Sequence, residues 1–139
     1  MATTEHLEYE LDDDRARLDI DFVHAFLFEE SYWAKGRPRQ LVEHTIEASA
    51  AVVGAYHHGD QVGFARVVSD GAAIAYLADV FVAQDHRGKG VGKALVKEAV
   101  ENGPFANLRW ALYTEDAHSL YEQYGFGPPS DHFMERPKP

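Results

Sequence analysis

Cysteine is missing from this chain, methionine occurs twice, and basic side chains are outnumbered by acidic ones, 13 to 23. Without a thiol there is no disulfide, no thiolate metal site and no cysteine nucleophile. The shortage of Lys and Arg leaves a formal charge of −10, with clusters at Asp12-Asp13-Asp14 and Glu29-Glu30. A surface of that sign repels phosphate backbones and anionic headgroups, which excludes a general nucleic-acid or membrane partner and favours cationic ones. No apolar run approaches the roughly 20 residues needed to cross a bilayer, and the acidic N-terminus lacks the order of a secretory signal, so a soluble, cytoplasmic protein is expected. Of the eight histidines, His57 and His58 are adjacent in a turn and no His-Glu-x-x-His spacing occurs, so no metal site is expected. The absence of a Gly-x-Ser-x-Gly elbow argues against a serine hydrolase.

What is present suffices for one domain spanning residues 1–139: 45% of the chain is hydrophobic, and a second core would leave too little for the first. Leu7 to Leu11 alternates as a strand, and Ile20, Val23, His24 and Leu27 recur at helical spacing. Pro38 can open a second helix with Leu41, Val42, Thr45, Ile46 and Ser49 on its buried stripe. Ala51–Tyr56 and Gln61–Val68 flank the turn His57-His58-Gly59-Asp60 as a hairpin. Ala73–Val82 reads as a long buried strand, so three antiparallel strands precede residue 83. Val91, Leu95 and Ala99 share a helix face that Asn102-Gly103-Pro104 ends. Leu108–Tyr113 is a further strand, Asp116 can cap a short helix carrying Tyr121 and Tyr124, and Gly125 stops it. The pattern is α/β in the α+β sense, a mixed, mostly antiparallel sheet flanked by helices.

The segment Gln84-Asp85-His86-Arg87-Gly88-Lys89-Gly90-Val91-Gly92 joins a strand to a helix. Glycines at alternate positions free the backbone to curl its N–H groups toward one anion at a positive helix end. Its spacing separates it from better-known phosphate loops. Gly92-Lys93 is followed by Ala94 where a Walker loop needs Ser or Thr, and the even glycine spacing departs from the dinucleotide fingerprint.

Arg87-x-x-Gly90-x-Gly92, together with Leu120-Tyr121 and Gly125-Phe126 further on, resembles the two signature segments of the GCN5-related N-acetyltransferases, from about Gln61 to Phe126. The resemblance implies their fold and acetyl-coenzyme A as cosubstrate. It implies that backbone groups of Val80, Phe81 and Val82 hold the pantetheine arm, and that Arg87, Gly88, Lys89, Gly90, Val91, Gly92 and Lys93 hold the pyrophosphate. Thr114 stands where many relatives carry a pantetheine-binding asparagine, and His118 lies near the cofactor. Tyr121 takes the position of the general acid, its phenol donating to the departing thiolate. The joint between the first two helices, with Tyr32, Trp33 and Arg37, would shape the acceptor pocket; Arg37 would either bind a carboxylate or pair with Glu29 or Glu30. Asp79, a carboxylate inside an apolar run, is the first candidate for a base, and an equal one for a structural hydrogen bond.

The expected activity is direct acetyl transfer in a ternary complex to a primary amine of a small molecule or peptide. The alternative is a noncatalytic acyl-coenzyme A sensor or interaction module of the same fold. After Phe126 a short last strand, His132 to Arg136, is expected, and its shortness raises the possibility of a homodimer in which a second subunit completes the sheet.

Overall fold

The computed structural model describes residues 8–139. Its five strands run in the order β1 (Tyr9–Asp12), β2 (Ala51–His57), β3 (Asp60–Ser69), β4 (Ile74–Val82) and β5 (Arg109–Leu112). All neighbours are antiparallel except β4 and β5, which are parallel. Residue Leu7, at the start of the expected first strand, lies outside the described residues. His58 and Gly59, at φ 51° and 89°, give the β2–β3 hairpin the two left-handed residues its two-residue turn requires.

Helices cover both faces of the sheet. On one face lie α1 (Ile20–Glu29) and α2 (Arg39–Ala48). Asp19 caps α1 by accepting from the Phe22 N–H at 3.1 Å, and Pro38 occupies the N-cap of α2. Val23, Phe26, Leu27, Val42 and Ile46 from these helices bury Val52, Phe64 and Phe81 of the sheet. Leu41 departs from the expected stripe and is 46% exposed. The other face is closed by α3 (Val91–Val96), which continues as a π-helical turn, Lys97–Glu101. Val91, Leu95, Val96, Ala99 and Val100 pack there on Val53, Ala65, Val67, Ala75 and Leu77.

Strand β4 is not buried along its length. Ile74 and Tyr76 are 57% and 40% exposed and alternate with buried Ala75 and Leu77, because neither α1 nor α2 reaches that end of the sheet. Further on, the register slips. Arg66 of β3 faces Ala78, but Phe64 faces Phe81, so β4 uses three steps where β3 uses two. The extra residue is accommodated at Asp79, whose φ of 54° is a left-handed value rare for a side chain of its kind. The bulge reverses the alternation, so that Val80 and Val82 join the α3 side and Phe81 joins the α1–α2 core.

Pairing of β4 with β5 covers only Ile74–Leu77 against Arg109–Leu112. Beyond Leu77 the far edge of β4 has no strand partner among the described residues, and a gap opens there. Helix α4 (His118–Glu122) lies next to it. Asp116 does not cap this helix; Thr114 Oγ1 accepts from the Ala117 N–H at 3.1 Å, because its hydroxyl is the one aimed at the entering backbone. His132–Arg136 forms no strand either. Ser130 draws the segment into a turn, accepting from the Phe133 N–H at its carbonyl and from the His132 N–H at its hydroxyl. No helix among the described residues is long and apolar enough to cross a membrane.

Candidate active site

A cavity of about 470 Å³ occupies the gap between β4 and β5. The α1–α2 connection supplies Tyr32, Trp33 and Arg37 to its wall, β4 supplies Asp79 and Val80, and α4 supplies Tyr121. Tyr32, Trp33, Arg37 and Tyr121, far apart in sequence, thus line one space.

Asp79 organises one wall. Trp33 Nε1 donates to its Oδ1 at 2.7 Å, while Arg66 Nε and Arg37 Nη1 donate to its Oδ2 at 2.6 and 2.8 Å. The carboxylate side chain is 3% exposed, and the two guanidinium side chains 13% and 16%. Burial pushes its pKa up, but the opposing pull of Arg66 and then Arg37 is larger, and the group is held below the ordinary carboxylate value. Arg37 pairs here and not with Glu29 or Glu30. Arg66 also reaches Ser49 Oγ at 3.4 Å, at the end of α2. Arg15 donates to the carbonyls of Ile46 and Ser49, so the helix end is itself tied down.

Tyr121 faces the cavity from the opposite side, 9% exposed, and its Oη has no hydrogen-bond partner among the described residues. Burial, then the proximity of Tyr32 and Asp116, pushes its pKa up to about 12. The phenol therefore keeps its proton throughout the physiological range. Tyr32 bridges the two walls: its Oη accepts from the Glu115 N–H at 2.7 Å and lies 3.4 Å from Asp116 Oδ1. Its ring meets that of Trp33 edge to face, 5.0 Å between centroids.

The glycine loop lies at the far end of β4. Gly88 and Gly90 have φ of 76° and 86°, and no atom stands within 4 Å of where a Cβ would project, so the loop is both left-handed and open above. The first bond of α3 runs from the Ala94 N–H to the Gly90 carbonyl, leaving the amides of Val91, Gly92 and Lys93 at the unpaired start of the helix. Lys89 and Lys93 are exposed. Arg87 reaches back instead, its Nε donating to the Val82 carbonyl at 2.9 Å.

That contact also sorts the edge of β4. The Ala83 N–H bonds the Val62 carbonyl of the neighbouring strand segment, so alternation turns the backbone groups of Val82 and Val80 to the gap and those of Phe81 to β3. Phe81 instead stacks on Phe26, ring centroids 4.0 Å apart. Of the three residues expected to hold a ligand arm, two present their backbone to the gap. Thr114 lines the cavity, whereas His118 is exposed at the start of α4 and outside that lining. Sequence reasoning missed Arg66, Tyr76 and Glu115 as cavity residues and took Asp116 for a cap. Arg66 carried a usable signal: it is a charged residue in the apolar half of a hairpin strand.

The acetyltransferase (GNAT) domain family matches the chain over residues 48–128. This chain belongs to the GNAT family of acetyltransferases. The likeness reaches beyond that segment: a GNAT-family protein from Xanthomonas campestris pv. campestris superposes with a TM-score of 0.88 over 94% of each chain, at 42% identity. The uncharacterized N-acetyltransferase ycf52 of Pyropia yezoensis is 30% identical over 100 residues, which is 68% of this chain and 57% of the algal protein. At 13% identity, a Clostridium acetobutylicum protein described as a predicted acetyltransferase, with acetyl-CoA in its crystal, shares the GNAT fold with a TM-score of 0.66 over 93% of this chain.

Proposed function

We propose that this GNAT protein transfers acetyl from acetyl-CoA directly to a primary amine, of a small molecule or a peptide, in a ternary complex. One observation carries the reading: the edge of β4 beyond Leu77, unpaired among the described residues, leads from the cavity that Val80 and the unbonded Tyr121 line to the open glycine loop that follows Val82. The donor suits this gap. The loop amides from Gly88 to Lys93 would take the pyrophosphate, the Arg87 N–H being bonded to the Gln84 carbonyl at 3.3 Å, and the backbone of Val80 and the N–H of Val82 would take the pantetheine as a strand takes its neighbour. The acetyl-CoA crystal of the Clostridium neighbour supports the same donor.

When bound, the donor supplies an acetyl thioester. A neutral amine forms the new C–N bond as the C–S bond breaks, the nitrogen gives up one proton, and the departing sulfur takes one. Tyr121 Oη, which lines the cavity with no partner among the described residues, would give that proton to the sulfur. A phenol held near 12 is a weak acid toward a thiolate of pKa about 8.5. Its first contribution is therefore a hydrogen bond to charge developing in a dry cleft, where such bonds are strongest, followed by the proton itself.

Asp79 is reassigned. A carboxylate that already accepts from two guanidiniums and an indole would lose its ion pairs on taking a proton, so we assign it a positioning role and not that of the base. It fixes Trp33 and Arg37, and with them the acceptor wall. The test is release of free coenzyme A on mixing protein, acetyl-CoA and a panel of primary amines. Amine-dependent release is expected. Donor binding with no release across the panel would replace the transferase reading with that of a sensor.

A further inference from the structure

The sign of the acceptor wall differs from that of the rest of the molecule. In a chain of formal charge −10, Arg37 and Arg66 converge on a single carboxylate, Asp79, and both line the cavity. Two guanidiniums against one carboxylate leave one net positive charge on this wall. Among the described residues, Arg37 makes no hydrogen bond through Nε or Nη2, and Arg66 makes none through Nη2. None of these nitrogens is sealed without a partner: among the described residues the unsatisfied buried side-chain atoms are His24 Nε2 and Tyr56 Oη. Those donors are therefore accessible, on two residues that line the cavity. The facing wall has the opposite sign, with Glu115 and Asp116 beside Tyr32 and Asp116 close enough to Tyr121 to raise its pKa.

We propose that the acceptor is an amino carboxylate, an amino acid or a close analogue, whose carboxylate docks on Arg37 and Arg66 while its amine lies on the Asp116–Tyr121 side. This rests on the acetyl-transfer reading and names the substrate class within it. A single surplus positive charge matches a monoanion. A phosphate dianion would exceed it and meet Glu115 and Asp116 across the cleft. A plain amine or polyamine would leave the arginine donors unused and bring a cation against them. The fork of Arg37, already oriented by Asp79, loses little freedom on binding, which is why a carboxylate gains more from it than from a mobile lysine.

The experiment compares kcat/KM for the proteinogenic amino acids and β-alanine with that for their carboxamides and decarboxylated amines, read as coenzyme A release. The preferred amino acid should exceed its own carboxamide by about ten- to a hundredfold, the range for a charged hydrogen bond gained or lost. Arg37→Gln should collapse that ratio toward one through the KM of the acid, and Arg37→Lys should restore part of it. A purely structural role for Arg37 would lower both substrates together and leave the ratio unchanged, which overturns the proposal. So does release with neutral amines and no preference for their acids, an outcome that leaves acetyl transfer standing. Release with none of these acceptors overturns the acetyl-transfer reading and this inference with it.

Discussion

The two walls of the cleft are made of different material. The side proposed for the donor, from Val80 to Lys93, is built from backbone: a strand edge unpaired among the described residues, left-handed glycines and the open amides of a helix start. The side proposed for the acceptor is built from side chains of the α1–α2 connection, β3 and β4 that meet on Asp79. Backbone sites depend on local conformation, so a short run of sequence specifies them. Side-chain clusters depend on the whole fold, so they can be retuned to a new acceptor while the donor site stays the same.

If that contrast is right, damage to each wall should have a distinct signature. Asp79→Asn should have the largest effect on stability. It leaves Arg37 and Arg66 buried without their charge partner, which costs about 3–5 kcal/mol, read as a fall in the denaturant midpoint at unchanged slope. The pH dependence carries the same sign. Because the folded-state pKa of Asp79 is lowered, its stabilisation is present above about pH 4. It is lost as pH falls through the lowered value, and that acid step should shrink in the variant. An unchanged midpoint would mean that the clamp holds nothing.

Gly90→Val should act on the donor wall alone. Space is available for the side chain, but φ of 86° is not, so the strain of about 1–2 kcal/mol should weaken acetyl-CoA binding roughly tenfold. Calorimetry of donor binding reads this directly, and a change in acceptor selectivity instead would break the distinction between the walls. Smallest is Tyr32→Phe, which removes the hydroxyl that accepts from the Glu115 N–H. About 1 kcal/mol is expected, seen as faster amide hydrogen exchange at Glu115 with the fold intact.

The same contrast explains how much could be read in advance. The hairpin at His58-Gly59, the helix after Gly90, the stop at Gly125 and the open glycine loop follow from spacing and turn chemistry over a few residues, whereas Tyr121 is singled out by the family resemblance of its segment. The bulge at Asp79 was invisible, because it is a mismatch between two strands and not a property of either. Asp79 stood out as a carboxylate in an apolar run, but its partners lie 13, 42 and 46 positions away, and only the folded sheet says which residues they are. Leu41 and Ile74 were misplaced for a related reason: periodicity finds an apolar face without saying whether anything covers it. Asp116 was misread as a cap because the helix starts one residue later, with Ala117 at its N-cap and no side chain capping it, while Thr114 Oγ1 holds the Ala117 N–H in the turn before it. The expected last strand failed because Ser130 bends the chain locally before it can reach a sheet edge.

The central claim is that backbone holds the donor while the Tyr121 hydroxyl serves the chemistry, and Tyr121→Phe tests it most directly when kcat and acetyl-CoA affinity are measured on the same preparation. Removing one oxygen should lower kcat by about 10²- to 10⁴-fold and leave the dissociation constant for acetyl-CoA unchanged. In the unsubstituted protein, where the phenol holds its proton up to about 12, no loss of rate from Tyr121 should appear until pH rises toward that value. A Tyr121→Phe protein that retains full kcat across this range would contradict the account.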